Sequence, residues 1–234
     1  FVVHATAYVL TILGGAVDRI LREEAPKVCV RFVPNTPDDP ALLRDQGADL
    51  AVGIYGELPQ EMRSRQLLTD RFVCVVRRGH PEATKRLTFE QFIRLPHIQV
   101  APRGKPGGYI DDVLRDRGLS RTVARAVPYF LTALHLAATT DYVLTVSERI
   151  ATRFAESLSL TVLEVPMKLR PYALGLVWHP RLDGDPGHRF LREVFLRAAA
   201  DVASDHHHEP RTRLDATDPT SGQTRRRRRR SRSR

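Results

Sequence analysis

From Val9 to Leu21 the apolar residues Val9, Ile12, Leu13, Ala16, Val17, Ile20 and Leu21 recur at i, i+3, i+4 spacing, and past Pro26 a continuous apolar run begins. A helix feeding directly into a buried strand restricts the chain to a layered α/β architecture. The alternation continues. Val28 to Val33 reads as a strand, Asp39 as the N-cap and Pro40 as the first residue of a short helix stopped at Gly47, and Asp49 to Gly53 as a return to the sheet. Phe72 to Val76 adds a strand. After His80-Pro81 the pattern restarts: Thr88 and Gln91 form a capping box, and Ile98 to Val100 is a strand. A helix stopped by Gly118, a strand over Val123 to Val127, a helix over Phe130 to Ala138 and a strand over Tyr142 to Val146 follow, and Ser147 is expected to cap another helix. Leu160 to Val165 and Tyr172 to Trp178 are the last strands. Asp185-Pro186 then opens a long helix with Phe190, Leu191, Val194, Phe195, Ala198, Ala199 and Val202 on one face. The fold class is therefore α/β in two units, and a ligand cleft belongs at the carboxyl ends of the strands.

Charge separates the folded part from its tail. The net charge is +10, but residues 211–234 hold ten Arg and two Asp, which is +8 and leaves only +2 for residues 1–210. Arg225 to Arg230 and the following Ser-Arg repeats offer nothing apolar to bury, so residues 205–234 are expected to form a disordered tail. Loose binding to phosphates and a merely solvated extension both remain open for it. No apolar run approaches the roughly 18 residues of a membrane span, and Phe1-Val2-Val3-His4 lacks a secretory pattern, so a cytoplasmic protein without membrane contact is expected. Cys29 and Cys74 each sit in an apolar run and read as small hydrophobes, with no disulfide or metal framework. His206 to His208 read as a solvated tract.

Three stretches stand in a telling order: Ala48-Asp49-Leu50-Ala51-Val52-Gly53, then Leu67 through His80-Pro81 with Asp70-Arg71-Phe72-Val73-Cys74-Val75-Val76-Arg77 inside it, then Trp178-His179-Pro180. Together they resemble the effector-binding domain of LysR-type transcriptional regulators, in the subgroup of nodulation and aromatic-degradation activators, over residues 1 to about 200. The resemblance implies a two-lobed, type II periplasmic-binding-protein-like fold, each lobe a doubly wound sheet. On it, lobe one comprises residues 1–77 and 178–204 and lobe two residues 78–177, with crossings at Phe72 to Arg78 and Leu176 to His179. It further implies a small-molecule effector, DNA contact through an N-terminal helix-turn-helix absent from this chain, and a homodimer or higher homo-oligomer. In the expected dimer the helix beginning near Thr6 meets the partner's helix ending near Val202, using off-face residues such as Tyr8, Leu10 and Leu196.

On the resemblance and on the pull of helix N-termini for anions, the candidate effector-binding residues are Thr6, Thr36, Pro102, Arg103, Tyr129, Phe130 and Thr145. The expected ligand is a small organic acid, aromatic by analogy with the subgroup. Thr6 and Thr36 serve equally as plain caps, and Phe130 equally as core. Gly104, Gly107 and Gly108 allow close backbone approach, and Arg103 or Lys105 could face an anion, although a basic loop of this kind is more often simply solvated. No catalytic set stands out, so an enzyme is not expected, and no cofactor or metal is implied. His80 and His179 read as structural. Asp111-Asp112 read as solvated surface charge. The competing reading is a solute-binding protein of a transport system, which shares the fold.

Overall fold

The computed structural model describes residues 1–102 and 107–208, with side chains as far as Ser204. Two five-stranded sheets form the two lobes. Sheet one has the order β2-β1-β3-β10-β4, built from β1 (Val2–Ala5), β2 (Arg31–Val33), β3 (Leu50–Gly53), β4 (Arg63–Asp70) and β10 (Tyr172–Trp178). Its first three strands are parallel, while β10 runs antiparallel between β3 and β4. Sheet two has the order β7-β6-β8-β5-β9, from β5 (Phe72–Arg77), β6 (His97–Val100), β7 (Val123–Val127), β8 (Val143–Ser147) and β9 (Leu160–Leu163). Here β6 is parallel to β7 and β8, and β5 lies antiparallel between β8 and β9.

This is the mixed α/β, two-sheet arrangement that the sequence predicts, with its crossings displaced. Phe72–Arg77 lies within the second sheet and Tyr172–Trp178 within the first. The chain therefore changes lobes at Asp70-Arg71, immediately before the first expected crossing, and again between Leu163 and Tyr172, several residues before the second.

Helices cover both faces: α1 (Ala7–Glu24), α2 (Asp39–Arg44), α3 (Phe89–Arg94), α4 (Tyr109–Arg115), α5 (Phe130–Thr139), α6 (Glu148–Ala155) and α7 (Pro186–His208). The periodic faces of α1 and α7 bury together: Val9, Leu13 and Val17 join Leu191, Val194 and Phe195 in the main core. Outside that core, Arg197 pairs with Glu24 and Arg19 with Asp201. The Thr88–Gln91 capping box forms with both of its bonds. Among the described residues no helix is long and apolar enough to cross a membrane.

Four local expectations fail for physical reasons. The run Val28 to Val30 stays outside β2, and Cys29 is exposed, while Cys74 is buried as expected. Asp39 is not a cap: it lies in the first turn of α2, buried, with Asp38 at the N-cap position. Ser147 precedes α6 but makes no capping bond, because its hydroxyl is engaged by Tyr172 instead. Tyr8, expected to lie off the buried face, is buried within the chain because its hydroxyl finds a carboxylate at Asp70. His80 and His179 accept from nearby backbone N–H groups, His80 also reaching the carbonyl of Asp141, so both hold turns. Helix α7 continues to His208, and residues 209–234 lie outside the described residues.

Candidate functional site

A cleft of about 500 Å³ opens between the lobes, where the carboxyl ends of β1, β3, β6 and β8 face each other. Its walls come from both lobes, as an open sheet's connections require.

The lobe-one wall is organised around a single buried carboxylate. Asp39 Oδ1 accepts from His4 Nδ1 at 2.8 Å and from the backbone N–H of Thr36 at 2.9 Å. Its Oδ2 accepts from Asn35 Nδ2 at 2.7 Å and from the Tyr55 hydroxyl at 2.8 Å. Burial pushes this carboxyl upward, but the four donors outweigh it and hold Asp39 below the ordinary carboxylate range. Burial and the neighbouring Asp39 charge push the Tyr55 phenol far up, so it stays a donor. The Thr36 hydroxyl is spent here, donating to Asp39 at 3.3 Å and accepting from Asp38 N at 3.2 Å. Thr6 differs. Its oxygen accepts from Val9 N at 3.3 Å as the cap of α1, and its proton has no acceptor among the described residues.

The lobe-two wall holds a buried ion pair. The Arg121 side chain, 3% exposed, donates from Nε to Asp111 Oδ1 at 2.8 Å and from Nη2 to Oδ2 at 3.1 Å. Behind it, His97 Nε2 donates to the Phe92 carbonyl at 2.6 Å, which leaves Nδ1 bare and facing Arg121. Burial, with the Arg121 charge acting in the same sense against the pull of the Phe92 carbonyl, brings His97 down to about 4. Gln99 exchanges two bonds with the backbone of Gly107, donating at 2.8 Å and accepting at 3.0 Å, and so fixes the mouth of the loop. The expectation that Asp111 is solvated surface charge is therefore wrong, because Arg121 needs it; Asp112 is exposed and pairs with Arg115.

Aromatic rings complete the surface. Phe72 packs against Tyr172 at 5.1 Å and Tyr109 at 5.8 Å between ring centroids, and Tyr8 faces Phe130 at 6.0 Å. Such tilted pairs give a firm apolar lining.

Of the residues expected at the site, Thr6, Thr36, Pro102, Phe130 and Thr145 gather around this cleft. Tyr129 does not: it is 64% exposed at the N-cap of α5. Arg103, with Gly104 and Lys105, lies outside the described residues. Sequence reasoning missed Tyr8, Asn35, Asp39, Tyr55, Asp111, Arg121 and Tyr172. The available signal was that Asn35 and Tyr55 each stand two positions past a predicted strand.

Residues 6–200 match the model of the LysR substrate binding domain. Over 181 residues the chain is 39% identical to the HTH-type transcriptional regulator SyrM of Rhizobium meliloti (strain 1021), a match covering 77% of this chain and 56% of that protein. Over 177 residues it is 31% identical to the HTH-type transcriptional activator NagR of Ralstonia sp, covering 75% and 59% respectively. The chain thus spans a little over half the length of these curated relatives. Its fold superposes on the regulatory domain of MexT, a transcriptional activator in Pseudomonas aeruginosa, with a TM-score of 0.74 at 26% identity, covering 85% of this chain and 96% of that one.

Proposed function

Because the chain belongs to the family of LysR substrate-binding domains, we propose that its interlobe cleft senses a small aromatic acid and that the full-length protein adjusts transcription in response. The observation that carries this reading is a pair of helix N-termini meeting across the cleft. The first turns of α1 and α5 hold no acidic residue, and α5 has no side-chain cap at all. Their orphan N–H groups and dipoles favour a carboxylate, and the 6.0 Å approach of Tyr8 to Phe130 places apolar rings beside them. Arg121 lies in the same cleft but is committed to Asp111, so attraction for the anion comes from backbone more than from free cations. The role is binding, not catalysis. Reading DNA falls to a helix-turn-helix outside this sequence, and the protein works in the cytoplasm.

The Thr6 hydroxyl, at the start of α1, offers its proton to this anion site. Titrating benzoate into the protein should show Thr6→Val weakening binding about tenfold, the loss expected for one charge-assisted hydrogen bond, while Thr6→Ser keeps the hydroxyl and the affinity. Thr36→Ala should weaken binding less, since that hydroxyl already serves Asp39. Equal affinities for wild type and Thr6→Val would refute the placement.

We also propose a homodimer through the outer sides of α1 and α7, where Leu10 and Leu196 remain half-buried, in an isologous contact made twice. Tyr8 takes no part, being consumed internally. Sedimentation of the chain ended at Ser204 should give a dimer at micromolar concentration; a monomer would overturn the interface.

A further inference from the structure

Beneath the cleft, at the point where the chain first leaves lobe one, lies a second buried carboxyl. Asp70 ends β4 and is 6% exposed. Its Oδ2 accepts from the hydroxyl of Tyr8 on α1, and its Oδ1 accepts from Arg71 N at 2.7 Å. Tyr172, at the start of β10 on the return crossing, stands near both Asp70 and Tyr8, and the Asp70 charge acts on its phenol. Its hydroxyl also meets Ser147 at the end of β8, in the other lobe. Helix α6 contributes the charge of the Arg149 guanidinium. The Arg71 guanidinium turns away, binding Glu148 at 2.8 Å and Glu164 at 2.6 Å. One carboxyl is thus bonded by a phenol of the cleft lining, with a second lining phenol close by.

The direction of these bonds decides what the cleft floor offers. While Asp70 is ionised it can only accept, so the Tyr8 proton points down, away from any ligand. The floor then presents oxygen lone pairs above a buried negative charge, which opposes a carboxylate. Once Asp70 carries a proton it becomes a donor, and a phenol proton is released to point upward. Burial already pushes Asp70 above the usual carboxylate range, against the bonds from Tyr8 and Arg71 and the Arg149 charge.

We propose that Asp70 takes up one proton from solvent when an aromatic carboxylate enters the cleft, with Tyr8 reversing its hydrogen bond to carry the change from carboxyl to ligand. This rests on the reading of the cleft as an acid site. It makes affinity for such a ligand rise as pH falls.

Calorimetry tests it with benzoate as the probe and the full chain, in phosphate and in imidazole, whose ionisation heats differ, between about pH 6 and 8, where benzoate stays ionised. Wild type should show a buffer-dependent enthalpy reporting uptake of up to one proton, and its affinity should weaken by up to about tenfold per pH unit as pH rises. Asp70→Asn should bind with no buffer dependence and a flat pH profile. Tyr8→Phe, which leaves the carboxyl in place but cuts the relay, should lose most of the pH dependence, and it decides the matter if Asp70→Asn fails to fold. Binding of benzoate to wild type with equal enthalpy in the two buffers overturns the proton coupling and leaves the acid reading standing. Proton uptake that persists in Asp70→Asn overturns the assignment to Asp70. No binding at the lowest pH overturns both readings together.

Discussion

Asp111→Ala should destabilise the protein by about 3–5 kcal/mol, the loss typical of breaking a buried ion pair from one side. Its partner has nowhere else to go. The Arg121 side chain is 3% exposed, and both of its strong bonds end on the two oxygens of Asp111. Removing the carboxylate leaves a guanidinium in a low-dielectric pocket whose nearest other acceptor, His97 Nδ1, is 3.4 Å away. The double variant Asp111→Ala/Arg121→Met should recover much of the loss, since it removes the stranded charge as well as its partner. Arg121→Met alone should cost less than Asp111→Ala, because Asp111 is 19% exposed and can turn to water. Urea denaturation with a constant m-value measures all three. A loss below about 1 kcal/mol for Asp111→Ala would mean that the pair is wetter than its geometry indicates.

Acid should weaken the fold through the adjacent histidine. His97 is fully buried and brought down to about 4 from an ordinary 6.5. Unfolded, it takes a proton near pH 6.5; folded, it refuses one until about pH 4. The unfolded state therefore binds more protons across that interval, and stability falls as pH is lowered through it. The drop corresponds to about 3 kcal/mol at its limit, and His188, also lowered chiefly by burial, acts in the same direction. Asp70 has the opposite sign. Its folded carboxyl holds a proton to higher pH than the unfolded one, so its contribution is present at low pH and is lost as pH rises through the folded value. Denaturation midpoints across pH 4 to 7 should climb with pH, and climb more steeply in Asp70→Asn, where the opposing contribution is gone. A flat profile between pH 6.5 and 4 would show that His97 titrates as if exposed.

Periodicity carried the reading of the sequence wherever one face of an element is buried and the other is not. That holds for α1, for α7 and for the short buried strands, and it placed two α/β units in the right order. Strand β4 escaped because it is an edge strand whose first residues, Arg63 to Gln66, are exposed, so no alternation marks it. The crossings were misplaced for the same reason: Phe72–Arg77 is as apolar as any interior strand, and nothing local says which sheet it joins. The cleft was legible only in part. Thr6 and Phe130 announce themselves at helix starts, whereas Asp39 reads as a helix cap and Asp70 and Asp111 look like ordinary surface acids. Their partners, His4, Tyr8 and Arg121, stand 35, 62 and 10 residues away in the chain, and such long-range pairing leaves no periodic trace. Tyr8 was misjudged by position on the helix, since a phenol with a buried acceptor does not need the apolar face.

Strand β10 has a consequence for how the molecule is made. It lies between β3 and β4, pairing Leu176 with Val52 on one side and Ala173 with Thr69 on the other. A ribosome releasing this chain delivers the whole of sheet two, from Phe72 to Leu163, before β10 emerges. Until then β4 has no neighbour in its own sheet, and the exposed Arg63, Arg65 and Gln66 along it discourage pairing with a passing chain. Lobe two can close on local contacts, but lobe one must wait for a segment more than a hundred residues downstream of β3, the kind of distant pairing that slows folding. The younger part of the sequence thus completes the older lobe, and because Tyr172 and Leu174 belong to that late strand, a nascent chain has no finished binding surface until its final strand has docked.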